Sequence, residues 1–288
     1  MEHLKRAYEN EHSRYLDMEG MTLHYRDEGE GPVLLLLHGV CASLHTWDGW
    51  VDELKHHYRL IRLDLPGFGL SSLHDKRIYN RAVAVRLMDR LCGQIGLKRF
   101  SIAGNSLGGY LAWTYAAAHP EKVEKLILID PAGFPMSLPW VLRFATHPFV
   151  RPFARFSMPR LFFNLAVNQA YGERAKIKRS VRRRYFELAM RNGGKRDYID
   201  IFMILKKELR SADVAEGITK ITAPALVMWG EADAWIPHAQ YFHQWRQVLP
   251  NGHFITYKGA GHVPMEEIPI KTARDAHRFL EDTASFSL

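Results

Sequence analysis

The sequence predicts an α/β fold in which an open, mostly parallel central sheet carries helices on both faces. Short runs at 22–26 and 33–38 indicate an opening pair of strands, and further strands are indicated at 59–64, 100–104, 125–130, 225–230 and 254–257. The runs at 59–64, 100–104 and 125–130 are aliphatic-rich and bounded by Gly or Pro, as expected for buried parallel strands. Apolar residues recur at helical spacing at 79–92, 107–118 and about 270–282. Because the two patterns alternate along the chain, a layered sheet with crossover helices is expected.

The strand pattern is interrupted once. From residue 131 to about 221 there is no clear strand, and the segment begins rich in proline and aromatic residues before continuing as basic helices. An insertion between two strands of one sheet is the simplest explanation. We therefore predict a core formed by residues 1–133 and 219–288, with an inserted helical cap at 134–218.

The net charge of +8 is unevenly distributed. Residues 134–215 hold 17 Lys and Arg against 6 Asp and Glu, so the basic character belongs to this internal segment. No nucleic-acid-binding module accompanies it, and a nucleic-acid partner is not expected. The run from Arg174 to Arg184 has seven basic residues and no acid. It is either a solvated helix face or a surface that associates weakly with anionic membranes.

Cysteine usage and the N-terminus indicate the compartment. Cys41 and Cys92 lie far apart and form no metal-binding pattern, so both are expected to be free thiols. The polar N-terminal segment lacks the apolar core of a secretory signal, and the apolar run 33–37 is too short to span a bilayer. We expect a cytoplasmic protein; the sequence leaves its oligomeric state open.

The strongest chemical signal is Gly-Asn-Ser-Leu-Gly at 104–108, which follows a predicted strand and precedes a predicted helix. A serine on so tight a turn needs small neighbours two residues away on each side, because a Cβ there would clash with the sheet or the helix. The turn exposes the hydroxyl above the sheet edge and directs the helix N-terminus at a developing oxyanion. Ser106 is therefore the predicted nucleophile.

A serine hydroxyl needs a base, and the base needs an orienting acid. His262 lies in a Gly-rich loop after the last predicted strand, which favours it as the base. Asp233 follows the preceding strand and is the predicted acid. Glu231 is nearby, and Asp130 ends the strand before that one, so both remain alternatives.

Five short patterns, at 38–39, 64–71, 104–108, 230–233 and 259–262, occur in an order that resembles the α/β-hydrolase family, its esterase and lipase branch in particular. The resemblance covers nearly the whole chain outside the predicted cap. It implies the α/β-hydrolase fold with Ser106, Asp233 and His262 as a triad.

The same resemblance implies the oxyanion site. It places one backbone N–H donor on Leu107 and a second on Val40, with His38 and Gly39 supporting the loop. A serine nucleophile suits acyl transfer at a carbonyl carbon and needs no metal or organic cofactor. The chain is thus expected to be a serine hydrolase of small-molecule carboxylic esters.

The apolar residues at 134–165 could shape a pocket for an apolar acyl or alcohol part, or simply pack the cap onto the core. Two other functions remain open. One is a carbon–carbon bond hydrolase of aromatic ring-cleavage products, which shares the fold and triad; a perhydrolase or acyltransferase is a smaller possibility. The other is a catalytically silent ligand-binding module on the same fold.

Overall fold

The structure, a computed structural model, describes residues 2–73, 80–191, 193–211 and 215–282. One eight-stranded sheet with the order β1-β2-β4-β3-β5-β6-β7-β8 organises these residues. The strands are β1 Ser13–Met18, β2 Met21–Glu28, β3 Val33–Leu37, β4 Arg59–Leu63, β5 Phe100–Asn105, β6 Val123–Ile129, β7 Ala225–Gly230 and β8 His253–Tyr257. Strand β2 pairs antiparallel with β1 and β4, and every other pairing is parallel. The predicted α/β fold class is confirmed.

Helices flank the sheet. Those outside the interrupted segment are α1 Glu2–Tyr8, α2 Asp48–Leu54, α3 Arg81–Gln94, α4 Leu107–Ala118, α10 His238–Val248, α11 Pro264–Glu267 and α12 Pro269–Glu281. Helix α3 packs against α4, and α2 packs against α12. No helix in the described ranges is long and apolar enough to cross a membrane.

The residues described between β6 and β7 form five α-helices and no strand. They are α5 Trp140–Ala145, α6 Arg151–Ala154, α7 Arg160–Ala170, α8 Arg179–Ala189 and α9 Gly194–Glu208. We call the described part of residues 134–218 the helical insertion. Its role as a cap stays a prediction at this stage.

The seven predicted strands all have counterparts whose ends differ by no more than two residues. The first two predicted strands, β2 and β3, follow each other in the sequence but are not neighbours in the sheet, because β4 lies between them. Strand β1 was not predicted: it is an edge strand with charged and mostly part-exposed residues, so it lacks the aliphatic character of the buried strands. Tyr79, the first residue of one predicted helix, lies outside the described residues.

A buried carboxylate closes the loops at the end of β4. Asp64 is fully buried and its Oδ1 accepts the Leu44 N–H at 2.8 Å. Its Oδ2 accepts the Leu70 N–H at 2.9 Å and hydrogen bonds with His24 Nδ1 at 2.8 Å. Burial alone would raise the pKa of Asp64, but the hydrogen bond with His24 and the electrostatic interaction with that imidazole outweigh it and hold the pKa well below its usual range. Asp64 thus joins three segments of the chain.

We expect Asp64→Ala to lower the free energy of unfolding by at least about 3 kcal/mol, because two buried N–H groups and an imidazole lose their acceptor. Urea unfolding measures the loss, and Asp52→Ala on exposed α2 surface serves as the control, changing stability by less than about 0.5 kcal/mol.

The contribution of Asp64 to stability depends on pH in a defined direction. Because folding lowers the pKa of Asp64, its contribution is present above the unfolded carboxyl value of about 3.9 and is lost as pH falls through the folded value. The difference between wild type and Asp64→Ala should therefore narrow below about pH 4. An Asp64→Ala protein as stable as the control variant would contradict the structural role of the carboxylate.

Candidate active site

Ser106 occupies a strained turn between β5 and α4. Its φ of 55° and ψ of −113° are unusual for a residue with a side chain. A Cβ on Gly104 would lie 2.2 Å from the Gly108 oxygen, and one on Gly108 would lie 2.1 Å from the Leu37 oxygen. Both motif glycines are thus required by the close packing of the helix start on the sheet, and this packing fixes where the serine projects.

The Ser106 side chain faces a small cavity. Ser106 is 6% exposed, and the cavity, about 400 Å³, is bounded on the core side by Val40, Leu107, Trp235 and His262. The helical insertion and the segment leading into it supply much of the remaining wall, with Met136, Leu138, Pro139, Leu142, Leu205 and Leu209. The nucleophile predicted from the sequence is therefore in an enclosed and largely apolar space.

His262 and Asp233 are in direct contact. His262 Nδ1 lies 2.7 Å from Asp233 Oδ2, and both side chains are almost fully buried. Asp233 Oδ1 accepts the N–H groups of Trp235 at 2.7 Å and Ile236 at 2.9 Å. Because Asp233 is held as an acceptor, Nδ1 of His262 is the donor and Nε2 keeps a free lone pair. The Trp235 ring stacks on the imidazole with centroids 5.2 Å apart.

The imidazole and the serine share one cavity. His262 and Ser106 both line it, and His262 Nε2 is buried with no hydrogen-bond partner. Ser106 Oγ and His262 Nε2 are not within hydrogen-bonding geometry of each other. This contact is commonly long without substrate and shortens in the reacting complex.

Three contacts that the sequence did not reveal hold His262. Its N–H donates to the oxygen of Ala170, the last residue of α7, at 2.7 Å, and Asn105 Nδ2 donates to the His262 oxygen at 2.9 Å. Glu267 accepts the N–H of Gly261 at 2.8 Å. The only sequence signal was proximity: Asn105 precedes the serine, and Glu267 follows the histidine.

Glu267 also reaches the helical insertion. Its carboxylate accepts the N–H of Gly172 at 3.1 Å and that of Glu173 at 2.8 Å, just past the end of α7. The loop that carries the imidazole is thus attached to the insertion as well as to the core.

The two alternative acids lie in different surroundings. Glu231 is exposed and accepts a hydrogen bond from Thr256 Oγ1, so it is directed away from the imidazole. Asp130 is fully buried, and its Oδ1 accepts the Gly230 N–H at 2.9 Å. Burial and the negative charge of Asp233 raise the pKa of Asp130 well above its ordinary value. The surroundings of Asp130 thus favour its neutral form, and the acid that contacts the imidazole is Asp233.

The residues predicted for the oxyanion site surround the serine. Val40 and Leu107 line its cavity, and Leu107 opens α4, where helical N–H groups have no partner within the helix. A Cβ on Gly39 would lie 3.2 Å from that of Ser106. His38 is fully buried, hydrogen bonds with the Gly39 oxygen and accepts the Leu65 N–H at 2.9 Å. Burial lowers the pKa of His38, so it is a neutral structural group.

Asp130, Asp233 and His262 form the one group of three metal-ligating side chains found within the described ranges, with ligand atoms within 4.8 Å of one another. The Nδ1 of His262 already donates to Asp233, so it offers a cation no lone pair. The arrangement fits a proton-transfer chain better than a ligand set for a metal ion.

Comparison with known proteins places this site in a family. A family model described as α/β hydrolase fold matches residues 32–269. The chain is 26% identical over 238 residues to 2-hydroxy-6-oxo-6-phenylhexa-2,4-dienoate hydrolase of Comamonas testosteroni, covering 77% of this chain and 78% of that protein. It is 28% identical over 256 residues to pimeloyl-[acyl-carrier protein] methyl ester esterase of Nitrosomonas europaea, covering 86% of this chain and 95% of that protein.

A solved structure of a bacterial membrane phospholipase A superposes with a TM-score of 0.80 at 28% identity, covering 93% of this chain and 85% of that chain. The family model spans most of the sequence and agrees with the sheet order and the serine turn described above. The chain belongs to the α/β-hydrolase fold family.

Proposed function

We propose that the chain is a serine hydrolase that cleaves carboxylic esters with an apolar acyl or alcohol part. The observation that carries this proposal is the His262–Asp233 hydrogen bond of 2.7 Å, with the unpartnered Nε2 of His262 buried in the same cavity as Ser106. A base oriented by a carboxylate beside a serine on a strand-to-helix turn is the arrangement that acyl transfer requires.

In the proposed mechanism, Ser106 Oγ attacks the ester carbonyl carbon while His262 Nε2 takes the hydroxyl proton. The N–H groups of Leu107 and Val40 stabilise the oxyanion, and Asp233 stabilises the imidazolium. His262 then protonates the leaving alcohol, and an acyl-enzyme remains on Ser106. Water, deprotonated by His262, releases the acid and restores the serine.

The surroundings of the serine favour an apolar substrate. A second cavity, about 920 Å³ and partly open, adjoins the first and shares Leu107, Tyr110 and Leu205 with it. Apolar side chains from β1, β2, α3, α4 and α9 make up most of its described walls, with Asn80, Arg81 and Glu208 at polar positions. Because burial of each methylene contributes about 0.8 kcal/mol, this space would favour longer chains.

We further propose that the helical insertion acts as the cap over the site. Met136, Leu138, Pro139, Leu142, Leu205 and Leu209 line the Ser106 cavity. Phe162, Phe163 and Ala166 of α7 line a neighbouring cavity beside His262. The apolar residues at 134–165 therefore fall into three groups. Some line the cavities, some pack the helical insertion onto the core, and some are exposed to solvent.

The runner-up function is hydrolysis of an aromatic ring-cleavage product, which the Comamonas relative supports by its name. Such a dienoate carries a carboxylate, and burying it needs a cationic partner. No Lys or Arg is among the described residues that line the two cavities containing His262. Arg81, in the larger adjoining cavity, lies 3.9 Å from Glu208, which offsets its charge. The names of the Nitrosomonas esterase and of the phospholipase A structure support an ester substrate.

A fluorophosphonate probe should label wild-type protein at Ser106, because the probe reacts with serines activated by a base. Ser106→Ala should remain folded, lose labelling and lose ester hydrolysis. Ser101→Ala, which changes a buried serine on β5, the strand that precedes Ser106, is the matched control and should label normally. Absence of labelling in folded wild type would favour a catalytically silent binding module.

The assignment of the acid is tested by paired amide substitutions. Asp233→Asn should lower kcat by about 10³- to 10⁴-fold, because the amide no longer orients and stabilises the protonated imidazole. Asp130→Asn should stay within about tenfold, since the neutral amide replaces a neutral carboxyl and can still accept the Gly230 N–H. The opposite ranking would make Asp130 the acid.

Substrate preference separates the two hydrolase functions. We expect kcat/KM for p-nitrophenyl esters to rise from acetate to octanoate and to exceed that for 2-hydroxy-6-oxo-6-phenylhexa-2,4-dienoate. Ala84→Phe, which fills the larger cavity, should reduce activity on octanoate and spare acetate, whereas Ala82→Phe on the exposed face of α3 should change neither. A preference for the dienoate would make the ring-cleavage function correct.

A further inference from the structure

The outer surface of α5, α6, α7 and their connections displays large apolar side chains to solvent. Fractional exposure reaches 82% for Phe149, 80% for Phe156, 75% for Phe153 and 66% for Leu161. Trp140 and Phe144 are about half exposed. Most of the large hydrophobic residues that are exposed in the described part of the chain lie in this one stretch. Contiguous exposure of this kind indicates an interaction surface, not scattered surface residues.

The spacing of these residues gives α5 and α7 two apolar faces each. In α5, Trp140 and Phe144 are four residues apart on the outside, while Leu142 lines the Ser106 cavity. In α7, Leu161 and Leu165 are outside, while the opposite side of the helix lines the cavity beside His262. Helices α5 and α7 also contact each other. The exposed surface and the candidate site are therefore opposite sides of the same helices.

The charge of this stretch has one sign. Residues 131–172 contain four arginines and no Asp or Glu. Arg143, Arg151 and Arg160 are exposed, and none of the three forms an ion pair with a described acid; Arg155 pairs with Asp200. Aromatic rings that are exposed among arginine side chains are suited to a binding partner with an apolar interior and an anionic surface.

We propose that this face, residues 140–165, docks on an anionic phospholipid bilayer. Its Phe and Trp side chains would enter the boundary between headgroups and acyl chains, and Arg143 and Arg151 would contact lipid phosphates. The proposal goes beyond ester hydrolysis and does not depend on it, because it concerns binding alone.

Charge argues against a second copy of the chain as the occupant. A twofold-symmetric contact through this face would bring its arginines near those of the partner with no carboxylate from residues 131–172 to offset them. An anionic bilayer supplies the missing charge along with an apolar layer.

The basic run from Arg174 to Arg184 is less suited to this role. Arg184 is largely buried and paired with Glu266, Lys176 pairs with Glu173, and Arg183 lies 3.9 Å from Glu187. The run itself contains no aromatic residue, and the two that follow it, Tyr185 and Phe186, are only part-exposed. Membrane association is one of two alternatives that the sequence leaves open for this run, and we propose it instead for the preceding helices.

Vesicle binding of the full chain tests the proposal. Ether-linked phosphatidylcholine vesicles, with or without ether-linked phosphatidylglycerol, contain no carboxylic ester for the protein to cleave. We expect wild type to bind the anionic vesicles at least about tenfold more tightly than the neutral ones. Phe149→Ser combined with Phe153→Ser and Phe156→Ser should weaken binding at least about tenfold on the anionic vesicles.

Charge variants and a matched apolar control complete the design. Arg143→Gln with Arg151→Gln should reduce anionic binding about tenfold and flatten its salt dependence. Ile270→Ser, which removes an exposed apolar side chain from α12, should bind as wild type does. Hydrolysis of a soluble short-chain ester and thermal unfolding, unchanged in all variants, would show that each is folded.

Three results would overturn the proposal. The first is wild type that does not bind anionic vesicles. The second is vesicle binding that is unchanged in the triple Phe variant. If Arg174→Gln combined with Arg179→Gln then abolishes binding, the basic run is the contact surface. The third is a wild-type protein that does not bind vesicles but is dimeric by light scattering, with a dimer that the Phe substitutions dissociate. This result would assign the face to a second copy of the chain.

Discussion

The close contact between the start of α4 and the carboxyl ends of β3 and β5 determines the geometry of the site. Gly108 lies so near the Leu37 oxygen that no side chain fits, and Gly104 lies equally near Gly108. With the helix held at this distance, the connecting residue must adopt a positive φ, and its side chain points out of the sheet. The reactive position of Ser106 is thus a consequence of backbone packing and does not rely on hydrogen bonds from its own hydroxyl.

The second constraint on the site is how negative charge is distributed between two neighbouring acids. Asp130 and Asp233 lie side by side in the interior, and two buried carboxylates so close together cannot both be ionised without a large cost. Two backbone N–H groups and an imidazole N–H are directed at Asp233, whereas Asp130 accepts one recorded hydrogen bond. The surroundings therefore distribute the single negative charge to the residue that contacts the base.

The parts of the fold that follow from local sequence were predictable. The buried strands are uniform aliphatic runs, and the Ser106 motif constrains its own backbone, so both were recognised from residue type and spacing. Strand β1 was missed because an edge strand is defined by its pairing partner, and its own residues are polar and part-exposed.

Long-range contacts were the least predictable part of the site. Asn105 donates to the His262 oxygen across 157 positions, and His262 donates its N–H to the Ala170 oxygen across 92 positions. Backbone acceptors carry no signal in residue type. The exposure of the phenylalanines at 149, 153 and 156 was equally hidden, because composition does not reveal which side of a helix lacks a neighbour.

The bond between Ala170 and His262 limits how the insertion can move. The C-terminal end of α7 holds the loop of the imidazole through this bond, and the Glu267 carboxylate bridges the same two segments. If that end swung outward, the base would lose its placement at the moment a substrate arrived. Movement of α5, whose Leu142 lines the Ser106 cavity, would break neither bond and would leave the proton-transfer groups undisturbed.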